Sequence, residues 1–298
     1  MRQQRIIKDE IPKFEKRKNE LFKAYSRFKS YVYYDNFNMA LRSKLSSYES
    51  DGKVAEKLAL LSKELYDYSY GKPLSERIKK LIQESSYISV PKTFSESDSS
   101  QRKSTLIFSN KTTEKYVVEK QTYLFDGAID LYLISTLWII EEGISLADII
   151  GKDSYGYHLH LTEDGKRFST DKLLFSKYFE KYQEWRDKGI KAAKEQIESG
   201  NDVLLMSLDI KNFFHSVGIN FSELRKDIGI NGEYSLTHLI EKIHVHYSSL
   251  IGARKNDEMP ILPIALPSSG VIANWFLSSF DKEIKDKIVT NYPGLEKY

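Results

Sequence analysis

An aspartate closes an apolar run in the segment Val203-Leu204-Leu205-Met206-Ser207-Leu208-Asp209-Ile210-Lys211-Asn212-Phe213-Phe214-His215-Ser216-Val217. The run has strand length and reads as a buried strand. An ionised carboxylate costs several kcal/mol to bury unless a cation or strong donors meet it. Asp209 at a strand mouth therefore suits a divalent metal ion, and the paired rings of Phe213 and Phe214 would form a shape filter beside it. The residues alone equally allow a core strand followed by a capped turn, because Asp is a common turn former.

A second segment joins the first in one pattern. LLMSLDIKNFFHSV resembles the first palm motif of reverse transcriptases, an apolar pair followed by D-[IL]-K-x-[FY]-[FY]. Further along, Leu262-Pro263-Ile264-Ala265-Leu266-Pro267-Ser268-Ser269-Gly270-Val271-Ile272-Ala273-Asn274-Trp275 resembles the second palm motif, an L-P-x-G-x-x-x-S turn opening a helix. The likeness is to bacterial reverse transcriptases of phage-defence and abortive-infection systems, and it extends over residues 120–298.

The resemblance implies RNA-directed DNA polymerase chemistry, in which two divalent ions clamp the attacking and leaving oxygens of an in-line displacement. It makes Asp209 the catalytic metal holder, with the Ile210 carbonyl as an auxiliary ligand to Mg2+ or Mn2+. Lys211, Asn212 and Phe213 would face the triphosphate. Phe214 falls at the sugar-discriminating position and implies a preference for deoxynucleotides. Ala265, Pro267 and Ser268 would underlie the incoming base, with Ala265 standing where the family carries Gly. Arg186 follows the fingers-like string Y-x-x-x-Y-x-x-W-R-D, and an inward Arg186 would take either Asp187 or a triphosphate as its anion. His158 stands where an Arg often follows Tyr-Gly-x, which leaves Lys166 and Arg167 as the nearest alternative cations.

The elements that must position these groups imply an α+β chain: polymerase fingers and a partial palm, a small antiparallel sheet flanked by helices, behind a helical N-terminal extension. The boundaries expected are 1–115 for the extension and a Ser-rich connection, and 116–201 for fingers. The first palm motif takes 202–218, a helical insertion 219–258, and the second palm motif with its helix 259–298. Residues 1–83 read as helical, with Ser75 capping a short helix whose inner face is Ile78, Leu81 and Ile82. Residues 84–115 read as an irregular connection. Tyr116–Tyr123 reads as a strand, and Asp126 as the cap of a buried helix through Trp138. Leu173–Glu198 reads as the longest helix, with Phe175, Tyr178, Phe179, Tyr182 and Trp185 as a core stripe. Helical patches follow at Asn220–Ile228 and Ser235–Leu250, where His244 and His246 point to different faces and so form no metal pair. A last helix runs from Ser269 to Val289.

Composition sets outer bounds. In 298 residues, 41% hydrophobic and 29% charged content describes a soluble globular chain, and no stretch has the length of a membrane span. The absence of cysteine excludes disulfides and thiolate metal sites and fits a reducing cytoplasm. A net charge of +3 does not by itself call for nucleic acid.

The expected partners are dNTPs, an RNA or DNA template-primer and a sister copy of the chain. The family's Tyr-x-Asp-Asp hairpin does not occur in the sequence, so a further polypeptide supplying the remaining palm and thumb is also expected. The chain alone, with one carboxylate for two ions, is expected to be inactive. Template-independent, protein-primed synthesis stays open beside templated synthesis. Two other readings compete: a non-catalytic nucleic-acid-binding or assembly module, and an enzyme acting on RNA ends, which Phe214 disfavours.

Overall fold

The computed structural model describes residues 2–34, 38–96, 103–104, 116–151, 154–207, 209–252, 259–284 and 286–287. Four helices come first, α1 (Arg2–Tyr34), α2 (Met39–Glu49), α3 (Val54–Ser69) and α4 (Glu76–Gln83). Strands β1 (Ser86–Glu96), β2 (Lys103–Ser104) and β3 (Tyr116–Asp126) follow. Next come α5 (Ile129–Glu141), a 3-10 turn at Gly143–Leu146, α6 (Ala147–Ile150) and α7 (Tyr178–Glu198). The last helices are α8 (Phe213–Ser216), α9 (Phe221–Ile228), α10 (Leu236–Leu250) and α11 (Pro267–Ile284). This is a mixed helical fold with one small antiparallel sheet of order β2-β1-β3. No helix among the described residues is long and apolar enough to cross a membrane.

Helix α5 is the centre of the molecule. It is apolar nearly all round, and every residue from Ile129 to Ile139 is buried, as such a pattern requires. Helices α1, α10 and α11 all pack on it. Each fully buried Leu or Ile contributes about 1.5–3 kcal/mol by leaving water, so the burial of α5 is a large contribution to tertiary stability. Asp126 does not cap it. The residue before the helix is Ala128 with no side-chain cap, and Asp126 instead pairs with Lys44 of α2.

The N-terminal helices belong to this core. Leu21, Ala24, Phe28 and Val32 of α1 are buried, and Phe28 stacks on Tyr132 of α5 with centroids 5.7 Å apart. Ser75 caps α4 as expected, accepting from the Ile78 N–H at 3.2 Å. Arg77 then ties α3 to α5, pairing with Glu64 at 2.6 Å and with the buried Asp130.

Four further expectations need correction. The segment 84–115 contains β1, paired antiparallel with β3 along nearly its whole length. Its Ser and Thr sit beside Tyr87, Ile88, Val90 and Phe94, residues that suit a pleated surface; residues 97–102 and 105–115 lie outside the described ones. The helix expected from Leu173 begins at Tyr178, and at 21 residues it is shorter than the 33-residue α1. Its aromatic stripe is not core: Tyr178, Phe179, Tyr182 and Trp185 are all exposed. Phe175 alone of that set is inward, edge-on to Tyr31 and Tyr157.

The fourth correction concerns the organising segment itself. Residues 201–207 have no regular structure, and Leu204 is 87% exposed, with Leu205 and Met206 close behind. A strand needs a partner for its N–H and C=O groups, and no described strand pairs with this one. Leu208 lies outside the described residues.

Candidate nucleotide-binding turn

Asp209 follows the extended segment and is exposed, as are Ile210 and Lys211. Asn212 then adopts the left-handed conformation, φ 53° and ψ 35°, which Asn tolerates better than most residues because its short polar side chain bonds locally. That one residue turns the chain into α8. His215 N donates to Asn212 O at 3.0 Å and Val217 N to Phe213 O at 3.1 Å, closing the turn.

The second motif locks onto the first through the main chain. Leu262 N donates to Phe214 O at 3.0 Å, and Ile219 N donates to Pro260 O at 2.9 Å. The Phe213 ring meets Phe214 at 5.7 Å and Phe276 of α11 at 6.0 Å. On its other side the second motif is bonded to β3, where Phe125 N donates to Ile264 O at 2.8 Å. One short extended segment, Pro260–Leu266, thus joins the Asp209 turn to the sheet.

His215 is held behind the turn. The Tyr247 hydroxyl donates to Tyr123 O at 2.7 Å, so the 3.1 Å contact from His215 Nε2 to that hydroxyl has the imidazole as donor. Burial pushes the His215 imidazole below its ordinary value, keeping it neutral at pH 7. Burial likewise pushes the Tyr247 hydroxyl up.

Ala265 has φ 77°, in the left-handed region that favours glycine. Pro267 and Ser268 are buried, with Ser268 N donating to Ser135 Oγ at 2.8 Å and that hydroxyl donating on to Ser268 Oγ. Neither side chain reaches solvent, so they act on a substrate only through the turn they fix. Asn274 Nδ2 donates to Gly156 O at 2.6 Å, and Trp275 Nε1 to Asp227 at 2.8 Å. Gly270 sits under Tyr157, where a Cβ would overlap the ring. The Asn274 and Gly270 contacts dock 155–157 onto α11, and the Trp275 bond docks α9 onto it.

None of the cations expected near a triphosphate is bonded to or ion-paired with Asp209 among the described residues. Arg186 is exposed and bonds Asp187 at 2.8 Å. Lys166 and Arg167 line a cavity against α1 that includes no residue of 203–217. His158 is half-buried, and burial together with Lys181 lowers its pKa. Residues 253–258, which include the charged stretch Arg254–Glu258, lie outside the described ones.

One carboxylate network escaped sequence reading. Glu142 accepts from Leu236 N at 2.9 Å and from Thr237 N at 2.8 Å, and Thr237 Oγ1 accepts from Trp138 Nε1 at 2.8 Å. An acid at the N-terminus of α10 satisfies orphan N–H groups there. In the sequence Glu141-Glu142-Gly143 reads only as the end of the buried helix.

No protein-family model, no curated protein and no solved structure matches this chain.

A divalent-metal centre can be tested against the donors present. Asp209 is the one acid in 203–217, and no described residues form a group of three or more His, Asp or Glu able to hold a metal. That donor set does not fit two ions.

Proposed function

We propose that the chain is the fingers and partial palm of a reverse transcriptase-type DNA polymerase of the bacterial antiviral kind. One relationship supports it above the rest: the Phe214–Leu262 main-chain bond joins the two motif-like segments at the turn that carries Asp209. In this reading Asp209 presents its carboxylate to solvent, Lys211 draws in the triphosphate as an exposed cation, and N–H groups of the Asn212 turn face its oxygens. The Phe214 ring underlies the sugar and leaves no room for a 2′-hydroxyl. Since no described residues form a group of three or more acids and histidines able to hold a metal, the proposal requires another segment to supply further carboxylates, and no chemical step is assigned to the chain alone.

The second reading is a non-catalytic nucleic-acid-binding or assembly module built on the same scaffold. The solitary Asp209 favours it. Deoxynucleotide incorporation by the protein isolated together with its associated polypeptides separates the two. Mg2+- or Mn2+-dependent incorporation that Asp209→Ala abolishes is the expected result. Incorporation indifferent to Asp209→Ala contradicts the polymerase proposal, and its absence from both proteins supports the module.

A further inference from the structure

Lys166 and Arg167 lead to a different part of the molecule. A cavity of about 730 Å³ lies between α1, the end of α5 with its following turn, and residues 166–172. That volume is within the range of about 300–1,000 Å³ typical of small-ligand sites. Its lining carries five cations, Lys23, Arg27, Lys166, Arg167 and Lys172, against one carboxylate, Glu20.

Three nearby acids are already engaged, Asp164 also with Arg167 at 4.0 Å. Glu20 is held by Lys23 at 2.8 Å. Asp171 bonds His160 at 2.7 Å, and Asp164 accepts from Thr162 Oγ1 at 2.5 Å and from Lys166 N at 3.1 Å. Arg27 is built into the wall: its guanidinium donates to Leu173 O and Ser169 O and lies over the Phe168 ring, 4.8 Å from the centroid. Lys166 and Lys172 are exposed and form no ion pair with a described residue, which leaves both available to an anion. The cavity also has an apolar part, from Phe22, Ile140, Ile144 and Phe168, and the hydroxyls of Ser26, Ser169 and Thr170.

We propose that this cavity binds a small organic phosphate, a compact polyanion with an apolar or aromatic body such as a nucleoside polyphosphate, at a site separate from the Asp209 turn. Lys166, Lys172 and Arg167 take the phosphates, the hydroxyls assist, and the apolar wall takes the body. The half-enclosed shape between α1, the end of α5 and the 166–172 loop favours a compact ligand over a polynucleotide, which needs an extended track.

Calorimetric titration of the full chain in EDTA tests this, because the metal-dependent chemistry proposed for Asp209 is then silent. ATP is expected to bind saturably, inorganic triphosphate more weakly and adenosine undetectably. The exposed pair Lys166→Glu with Lys172→Glu should weaken ATP by about tenfold or more, with an unchanged circular dichroism spectrum, while Asp209→Ala leaves it unaltered. No ATP binding, equal binding of adenosine, indifference to the lysine substitutions, or loss in Asp209→Ala would each overturn the proposal. Displacement of ATP by an oligonucleotide at far lower phosphate concentration would also overturn it, in favour of a nucleic-acid surface.

Discussion

The N–H of Leu262 meets the carbonyl of Phe214 at 3.0 Å, and through that bond two segments distant in sequence become one structural unit. Around it are a left-handed Asn212 and a left-handed Ala265, one in each segment. Two turns of this kind, held by a common main-chain bond, are a costly arrangement to keep for packing alone.

Ala265 carries the clearer signature of strain. At φ 77° a Cβ is disfavoured by about 1 kcal/mol, and Gly removes the clash while adding some unfolded-state entropy. Ala265→Gly is therefore expected to raise stability by roughly 0.5 kcal/mol, read as a higher urea midpoint at unchanged slope. A lower midpoint would mean that the turn is not left-handed in solution.

Gly270 and Tyr157 define the docking of 155–157 on α11. Gly270→Ala should destabilise by about 1–3 kcal/mol through overpacking against the ring. Tyr157→Ala in the same chain should recover most of that loss. Additive effects in this double-mutant cycle would deny the contact.

His244 is fully buried with its ring edge-on to Phe221, and burial, partly offset by the Ile261 main chain, lowers its pKa to about 3. The folded state thus binds its proton far less readily than the unfolded chain. Its contribution is complete above the unfolded value near 6.5 and is lost as pH falls from there toward 3. Between pH 7.5 and 5.5 the loss is about 1.4 kcal/mol. His244→Leu should remove that component of the pH dependence, measured from urea midpoints at the two pH values. An equal slope in both proteins would show that His244 is solvated.

Arg77 is shared by Glu64 and the buried Asp130. Arg77→Met leaves Asp130 without its cation and should cost about 3 kcal/mol. Restoring neutrality with Asp130→Asn in the same chain should recover part of it. Without such recovery, Arg77 acts through packing and not through charge.

The exposed segment before Asp209 gives an opposite kind of test. Leu205→Lys should change stability by less than about 0.5 kcal/mol, whereas a Leu in a buried strand would cost several. It should also reduce self-association, because three neighbouring large apolar side chains stand in solvent.

How far the sequence revealed this fold depended on whether the signal was local. Ser75 caps the helix that its side chain announces, since capping needs only the next three residues, and Asn220 and Ser235 cap the helical patches that start at them in the same way. The all-apolar run of α5 marked its own burial. The stripe on α7 and the run 203–207 failed for one shared reason: periodicity states which residues would share a face or a strand, and not whether a partner covers them. Strand β1 was hidden because its serines and threonines carry the composition of a loop, and its pairing with β3 spans a long separation in sequence. The left-handed Ala265 was legible only through the glycine that the resemblance expects there. The Glu142 network and the cavity beside α1 have no local signal, because each forms only when distant segments meet.

The central claim is that Asp209 receives a metal-bound deoxynucleotide, and electron paramagnetic resonance of Mn2+ in the presence of dTTP addresses it most directly. In a chain carrying Lys166→Glu and Lys172→Glu, which silences the cavity beside α1, the account predicts weak Mn2+–dTTP binding that Asp209→Ala eliminates, and a preference for dTTP over its ribonucleotide counterpart that Phe214→Ala removes. Binding that is equal in the parent chain and in Asp209→Ala would contradict it.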